Sequence, residues 1–344
     1  MPDVFTNQCV AIRPWIVDSM MGVDTFEKKN VVFVFTMDGD KLSFRNDNIV
    51  VTGGDGNTKL QTTCYRVFAL FIVGHLTITS ALIEKSRKFG FSIFLMTPSL
   101  RTYDIIGHRI EGNYILRKSQ YAISDLEIAR HLVNNKITNQ LETLDKCRGK
   151  DNRLRGDMEL LKEYADSAQQ YVGGDVQTLM GIEGAASKIY FRNIFDMSEW
   201  TGRKPRMKLD FINATLDIGY TILFNMVDAM LNLYGFDTYV GVYHREFYMR
   251  RSLVCDLVEP FRPLIDWKVR TAVHIGQCKE EDFIKVDDRY VLNIAKNKDY
   301  VSFLMKPLLE NKNEIFLYFQ SYYRAFMKRK SASEFPRFKI ENAK

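Results

Sequence analysis

The chain has 344 residues, 46% hydrophobic and 13% aromatic, enough to fill two cores and too apolar for a largely disordered protein. Its formal net charge of +6 is modest and mostly local: Arg324 to Lys344 carries seven basic and two acidic residues, an end suited to nucleic acid or a partner without requiring either. Five cysteines, at 9, 64, 147, 255 and 278, form no CxxC pair, which argues against a zinc knuckle or a disulfide framework.

Up to about residue 100 the pattern is short and β-like. VVFVFTM (Val31 to Met37) ends at the turn signal DGD, IVVTG at GGDGN, and FSIFLM (Phe91 to Met96) just before Pro98. One helix is predicted among them, near Ile78 to Phe89. The weakly charged run Val67 to Ile83 contains His75, Thr77, Thr79 and Ser80 and is shorter than the roughly twenty residues of a membrane span, so it reads as a buried strand entering that helix. With no signal-peptide pattern, the expected location is the cytoplasm, away from any membrane.

From about Tyr103 the spacing turns helical. Ser124 and Glu127 make a capping-box pattern, after which Leu126, Ala129, Val133, Ile137, Leu141 and Leu144 recur at helical spacing as far as Gly149. Phe211 to Tyr234 is apolar nearly all round, which predicts a buried central helix ending at Gly235. The expected fold class is α+β multidomain: a mainly β N-terminal domain over residues 1–102, then a larger all-α domain over 103–344 that carries the chemistry and the basic tail.

That chemistry concentrates in YHREFYMRRSLVCDLVEPFRPLID, from Tyr243 to Asp266. His244 is followed by Arg245, Arg250 and Arg251, cations suited to holding phosphates. Asp256 and Glu259 come next at i, i+3, on one face if the stretch is helical. Glu183, in GIEGAASKIYF, would share a helix face with Leu179, Ala186 and Tyr190, where an ionised carboxylate needs a compensating charge. One imidazole with several carboxylates suits Mg²⁺ or Mn²⁺ and phosphodiester chemistry, whereas an ordinary solvated helix face is the plainer reading of each acid. Pro260 and Pro263 cannot donate to the carbonyls of residues 256 and 259, which either opens the backbone at both acids or simply kinks the helix. RKPRMK reads as a loop whose Arg203, Lys204, Arg206 and Lys208 touch DNA phosphates or are merely solvated. RKSQY, Arg117 to Tyr121, sets cations beside an aromatic. GGDGN lacks the Lys-Ser/Thr of a P-loop and no GxGxxG is present, so nucleotide-dependent chemistry is not expected.

Five blocks in order, GHLTITSALIEKSRKFGFSIFL, LRKSQY, GIEGAASKIYF, NATLDIGYTILFN and His244 with DLVEPFRP, resemble the CRISPR-associated integrase family, the catalytic subunit of the spacer-acquisition complex. One departure is the segment after GRKPR, usually richer in proline and small polar residues and here MKLDFI. The resemblance implies a metal-dependent DNA endonuclease and strand-transferase. It implies that Glu183, His244 and Glu259 hold Mg²⁺ or Mn²⁺, with the nearby acid Asp256 the fourth residue of the catalytic set. The partners it implies are double-stranded DNA, a second copy of the chain joined through the β domain, and a small ferredoxin-like second subunit. Two other readings stay open, a transposon-encoded integrase of the same family and a catalytically silent DNA-binding or scaffold subunit.

Overall fold

The structure, a computed structural model, describes residues 21–108, 110, 112–195, 200, 202–244 and 249–340. A short helix α1 (Val23–Glu27) leads into β1 (Asn30–Phe35), β2 (Lys41–Arg45), β3 (Asn48–Thr52), β4 (Thr58–Thr63) and β5 (Val67–Val73). Helix α2 (Ser80–Phe89), β6 (Ser92–Met96) and β7 (Thr102–Gly107) follow. Strands β2, β3 and β4 form an antiparallel sheet. A second sheet runs β1-β5-β6-β7, with β1 and β6 parallel to β5 and β7 antiparallel to β6.

Strand β5, VFALFIV, is buried at every position, as a central strand in parallel pairing must be when both its faces are covered. Its alternation decides which core each side chain enters. Ala69, Phe71 and Val73 pack with the helical core, whereas Leu70 and Ile72 pack with the β core around Ile49, Leu82 and Ile93. The four predicted strands are present as β1, β3, β5 and β6, and β2, β4 and β7 join them. These three are partly solvated, so they lack the continuous apolar run that marks a buried strand. Strand β7 also carries the sheet five residues past the expected boundary after residue 102.

The rest of the chain is largely helical: α3 (Tyr114–Tyr121), α4 (Glu127–Asp145), α5 (Asn152–Gln170), α6 (Val176–Ile194), α7 (Phe211–Tyr234), α8 (Ser252–Val258) and α9 (Arg262–His274). A hairpin of β8 (Phe283–Val286) and β9 (Arg289–Leu292) precedes α10 (Asn297–Glu310) and α11 (Lys312–Met327). The hairpin corrects the all-α expectation. Its strands have four residues each and turn through Asp287 and Asp288, both at positive φ, too short to display an alternation. No helix among the described residues is long and apolar enough to cross a membrane.

Helix α7 has the predicted span. The Asp210 side chain accepts the Asn213 N–H at its start, and Gly235 ends it at φ +83°, where a Cβ would stand 2.7 Å from the Ile110 carbonyl. Helix α4 starts differently from expectation: Leu126 holds the cap position without a side-chain bond, and the Glu127 N–H donates to Asp125 in place of a Ser124–Glu127 box. Its interior is unusually polar. Asn135 donates to and accepts from the Phe338 backbone, Asn139 donates to the Pro260 carbonyl, and Asn134 accepts from Arg337. The C-terminal segment is therefore docked along α4, and Arg337, itself exposed, contributes to that docking by donating to Asn134 and Gln169.

Candidate metal centre

Three elements bring the predicted acids and histidine to one cleft. Helix α6, capped by Asp175 accepting the Gln177 and Thr178 N–H groups, carries Glu183 on the face of buried Leu179, Ala186 and Tyr190. The segment leaving α7 carries His244. The turn Glu259–Phe261, wedged between α8 and α9, carries Glu259. All three side chains line one open cleft of about 2190 Å³, together with Lys136, Tyr220 and Arg262.

Asp256 is buried at 1% exposure, and its carboxylate is fully engaged. Oδ2 accepts the N–H groups of Val242 (2.7 Å) and Tyr243 (2.9 Å), while Oδ1 accepts the His244 N–H (3.0 Å) and stands 2.6 Å from His244 Nδ1. A carboxylate already accepting three N–H groups takes a fourth proton donor at Nδ1, so the Nε2 lone pair is the one left for a ligand. This close approach needs Gly241, where a Cβ would meet Asp256 Oδ2 at 2.6 Å. The start of the same segment is held by Gln120 of α3, which donates to the Asp237 and Val240 carbonyls and accepts the Asp237 N–H. In RKSQY, Gln120 and Arg117, whose Nε donates to the Gly235 carbonyl, thus serve as backbone clamps.

The two glutamates are joined by Lys136, which no sequence motif marks. Lys136 of α4 is buried. Its Nζ forms an ion pair and hydrogen bond with Glu183 Oε1 and lies 2.7 Å from Glu259 Oε2, a charge contact without hydrogen-bond geometry. Glu183 Oε2 accepts from the Tyr243 hydroxyl at 2.7 Å, and Glu259 Oε1 lies 3.1 Å from the Arg262 guanidinium. Burial alone would push the Glu183 carboxyl up, but the Lys136 ammonium, then the Tyr243 hydroxyl and His244, bring it down to about 2. Burial likewise opposes the Lys136 charge, and the two carboxylates reverse this and hold the ammonium above its ordinary range. The Tyr243 hydroxyl is raised by burial and by Glu183, which keeps it a neutral donor.

Both carbonyls freed by the prolines are satisfied: the Asp256 carbonyl accepts from the Glu259 N–H and the Glu259 carbonyl from the Arg262 N–H. The prolines therefore kink the helix and leave no open backbone for a ligand. Beneath Glu259 lies a second buried network in which the Tyr190 and Tyr220 hydroxyls donate to Asp266. Burial raises this carboxyl to about 6 against those two bonds. Arg203 and Arg262 flank the Tyr220 ring at 5.2 and 4.9 Å.

The cleft walls are cationic, with thirteen Lys and Arg side chains against five Asp and Glu. Lys204, Arg206, Lys208, Arg250 and Arg251 are among them, yet they are not equivalent. Lys204 and Arg206 are exposed. Arg203 is tied to Asp217 (2.5 Å) and Asn213 (2.8 Å), and Arg251 is paired with buried Asp228, so both anchor the fold. Arg250 donates to Cys255 Sγ, and the Lys208 carbonyl accepts from Tyr290 of the hairpin. Arg245 lies outside the described residues.

Two carboxylates and an imidazole with a directed Nε2 fit a hard divalent ion in donor type, and Glu259 Oε2 is a buried acceptor lacking a hydrogen bond. As the side chains stand, no group of three or more His, Cys, Asp or Glu among the described residues is close enough to hold an ion. Lys136 occupies the space between the two glutamates. In the sequence it stands among Asn134, Asn135, Asn139 and Gln140, a polar run that gives no sign of burial.

A family model described as CRISPR associated protein Cas1 matches residues 33–305. A relative from Thermodesulfovibrio yellowstonii, named CRISPR-associated endonuclease Cas1 1, is 32% identical over 246 residues, covering 67% of this chain and 76% of that protein. Among solved structures, the Cas6-RT-Cas1–Cas2 complex aligns with a TM-score of 0.76 at 22% identity, covering 91% of this chain and 36% of that one. A casposase bound to integration product aligns at 0.71 and 18% identity, covering 92% and 96%. At these identities the structural likeness is one of fold.

Proposed function

The chain belongs to the Cas1 family of CRISPR-associated proteins, and from that premise we propose that it is a divalent-metal-dependent DNA endonuclease and integrase that inserts short DNA fragments into a repeat array. The observation that carries this reading is the meeting of Glu183, Glu259 and the Asp256-directed His244 in one cationic cleft. Glu183, Glu259 and His244 Nε2 would hold Mg²⁺ or Mn²⁺, and when bound such an ion supplies Lewis-acid polarisation of a phosphate and stabilisation of a leaving oxygen.

The residues around that centre have separable tasks. Asp256 fixes the tautomer and orientation of His244, Tyr243 steadies Glu183, and Lys204 and Arg206 hold the DNA backbone without reading bases. The 3′-oxygen of the incoming fragment forms a bond to the repeat-end phosphorus while the bond from phosphorus to the target strand's 3′-oxygen breaks. Overall, one proton passes from the attacking to the leaving oxygen. Water in place of the 3′-hydroxyl gives strand cutting at the same centre.

The partners follow the same reading: double-stranded DNA, a second copy of the chain through the β region, and a small ferredoxin-like subunit, supported by the fold likeness to a Cas1–Cas2 assembly. The likeness to a casposase keeps a self-integrating relative as the second reading, which a repeat array beside the encoding gene would exclude. Glu183→Ala, His244→Ala and Glu259→Ala should each abolish strand transfer of a labelled fragment into a repeat-bearing plasmid with Mn²⁺ or Mg²⁺, while DNA binding persists. Full activity in any of the three would overturn the ligand assignment.

A further inference from the structure

Helix α4 is fixed in rotation by its buried amides: Asn134 donates to the Ala165 carbonyl, Asn135 grips the Phe338 backbone, and Asn139 donates to the Pro260 carbonyl at 2.8 Å. That rotation directs Lys136 between Glu183 and Glu259. The last of these bonds ties α4 to the residue after Glu259, so lysine and glutamate are set by one piece of backbone geometry. Lys136, Glu183 and Glu259 have side chains only 7%, 16% and 8% exposed, so water screens their charges weakly.

We propose that the Lys136 ammonium is the built-in counter-ion of Glu183 and Glu259, and that a divalent cation reaches these carboxylates only in competition with it, so that Lys136 sets the metal affinity of the site. The inference rests on the metal reading above. The physical case is one of charge and space. An ammonium and a divalent ion bound to the same two carboxylates would lie within a few ångströms of each other in a poorly screened environment, where like charges repel strongly. Without any cation there, two buried carboxylates would face each other uncompensated, which is costly to the fold. Lys136 therefore stabilises the metal-free chain and weakens metal binding. A purely structural lysine would do only the first.

The test compares the parent chain with Lys136→Met, which keeps length and removes charge, and Lys136→Arg, which keeps charge. The readouts are Mn²⁺ affinity by electron paramagnetic resonance and thermal melting in EDTA and in Mn²⁺. Lys136→Met should melt lower in EDTA, regain more on adding Mn²⁺, and bind Mn²⁺ at least tenfold more tightly than the parent; Lys136→Arg should bind no more tightly than the parent. Should Lys136→Met fail to fold, Lys136→Gln, which retains a donor for one carboxylate, carries the same expectation. Equal or weaker Mn²⁺ binding by the neutral variant, with normal binding by the parent, overturns this inference alone. Absence of Mn²⁺ binding in parent and variants alike overturns the metal reading and this inference with it.

Discussion

Replacing Asp256 with asparagine tests the site at its most constrained point. The carboxylate takes four donors, two on each oxygen, and the amide has one acceptor oxygen to offer them. If its NH₂ group faces Val242 and Tyr243, two backbone N–H groups lose their partner. If it faces His244, the backbone N–H loses its partner and Nδ1 must become an acceptor. The ring proton then moves to Nε2, the nitrogen assigned to the metal. The first orientation loses two bonds to a charged group and the second loses one and reverses another, at roughly 1.5–3 kcal/mol for each bond lost. Relaxation of the segment returns part of this, so the expected loss of stability is about 3 kcal/mol. Mn²⁺ affinity should fall about 10- to 100-fold, the range for losing the partner that orients a ligand, with the stoichiometry of bound metal unchanged. Urea unfolding in EDTA and Mn²⁺ titration measure the two effects separately. A parent-like urea midpoint and parent-like Mn²⁺ affinity would refute the positioning role, and a halved stoichiometry would make Asp256 a ligand to a second ion.

Neutralising Lys204 and Arg206 should flatten the log–log salt dependence of DNA affinity by up to about 0.9 per lost phosphate contact without changing sequence preference. Arg203→Ala should act mainly on stability, because its guanidinium is held by Asp217 and Asn213; a slope change equal to that of Lys204→Ala would contradict this division. The raised carboxyl of Asp266, at about 6 against an ordinary 3.8, gives stability that is full below the lower value and lost as pH rises through the upper one. Asp266→Asn removes that titration, so its stability relative to the parent should improve by about 1.3 kcal/mol between pH 5 and pH 7. A pH-independent difference in urea unfolding would show that Asp266 does not titrate there.

How much of this was legible in the sequence depended on whether a residue's role is local. Helix α7 announced itself because its apolar character, its Asp210 cap and its terminal Gly235 all lie within one segment. Asp256 and Glu259 looked equivalent as neighbours on a helix face, yet one turns inward to grip residues 242–244 and the other faces the cleft. That difference is set by where the chain after α7 returns, which no spacing rule contains. The RKPRMK cluster likewise looked uniform, and only the fold separates Arg203, pinned to α7, from the exposed Lys204 and Arg206. The β8–β9 hairpin is not legible because four-residue strands carry too little alternation to distinguish them from a loop. Lys136 left no trace of this kind, because Ile137 already fills the helical stripe at that turn and a lysine beside it reads as an ordinary solvated charge. Its meaning required Glu183 and Glu259, which stand 47 and 123 positions further along the chain (183 − 136 and 259 − 136).

The concentration of buried charge on this side of α7 bears on why it is there. Lys136, Glu183, Glu259, Asp256, Asp228 and Asp266 all have little or no exposure, and each carries a named partner. Buried ion pairs are poor sources of stability, since apolar residues of similar volume often serve a fold as well or better. The neighbouring apolar network around Phe261, Phe319 and Phe338 does provide such packing, so the chain had the means to fill this region without charge. Asn139 connects the two, bonding the Pro260 carbonyl beside Glu259 on one side and accepting from the Ile340 N–H on the other. The charged layer is thus embedded in, and held by, that apolar core. On the metal reading proposed above, Glu183, Glu259 and His244 are kept charged or polar for the ion they would hold, and the docked C-terminal segment helps place Glu259 through Asn139.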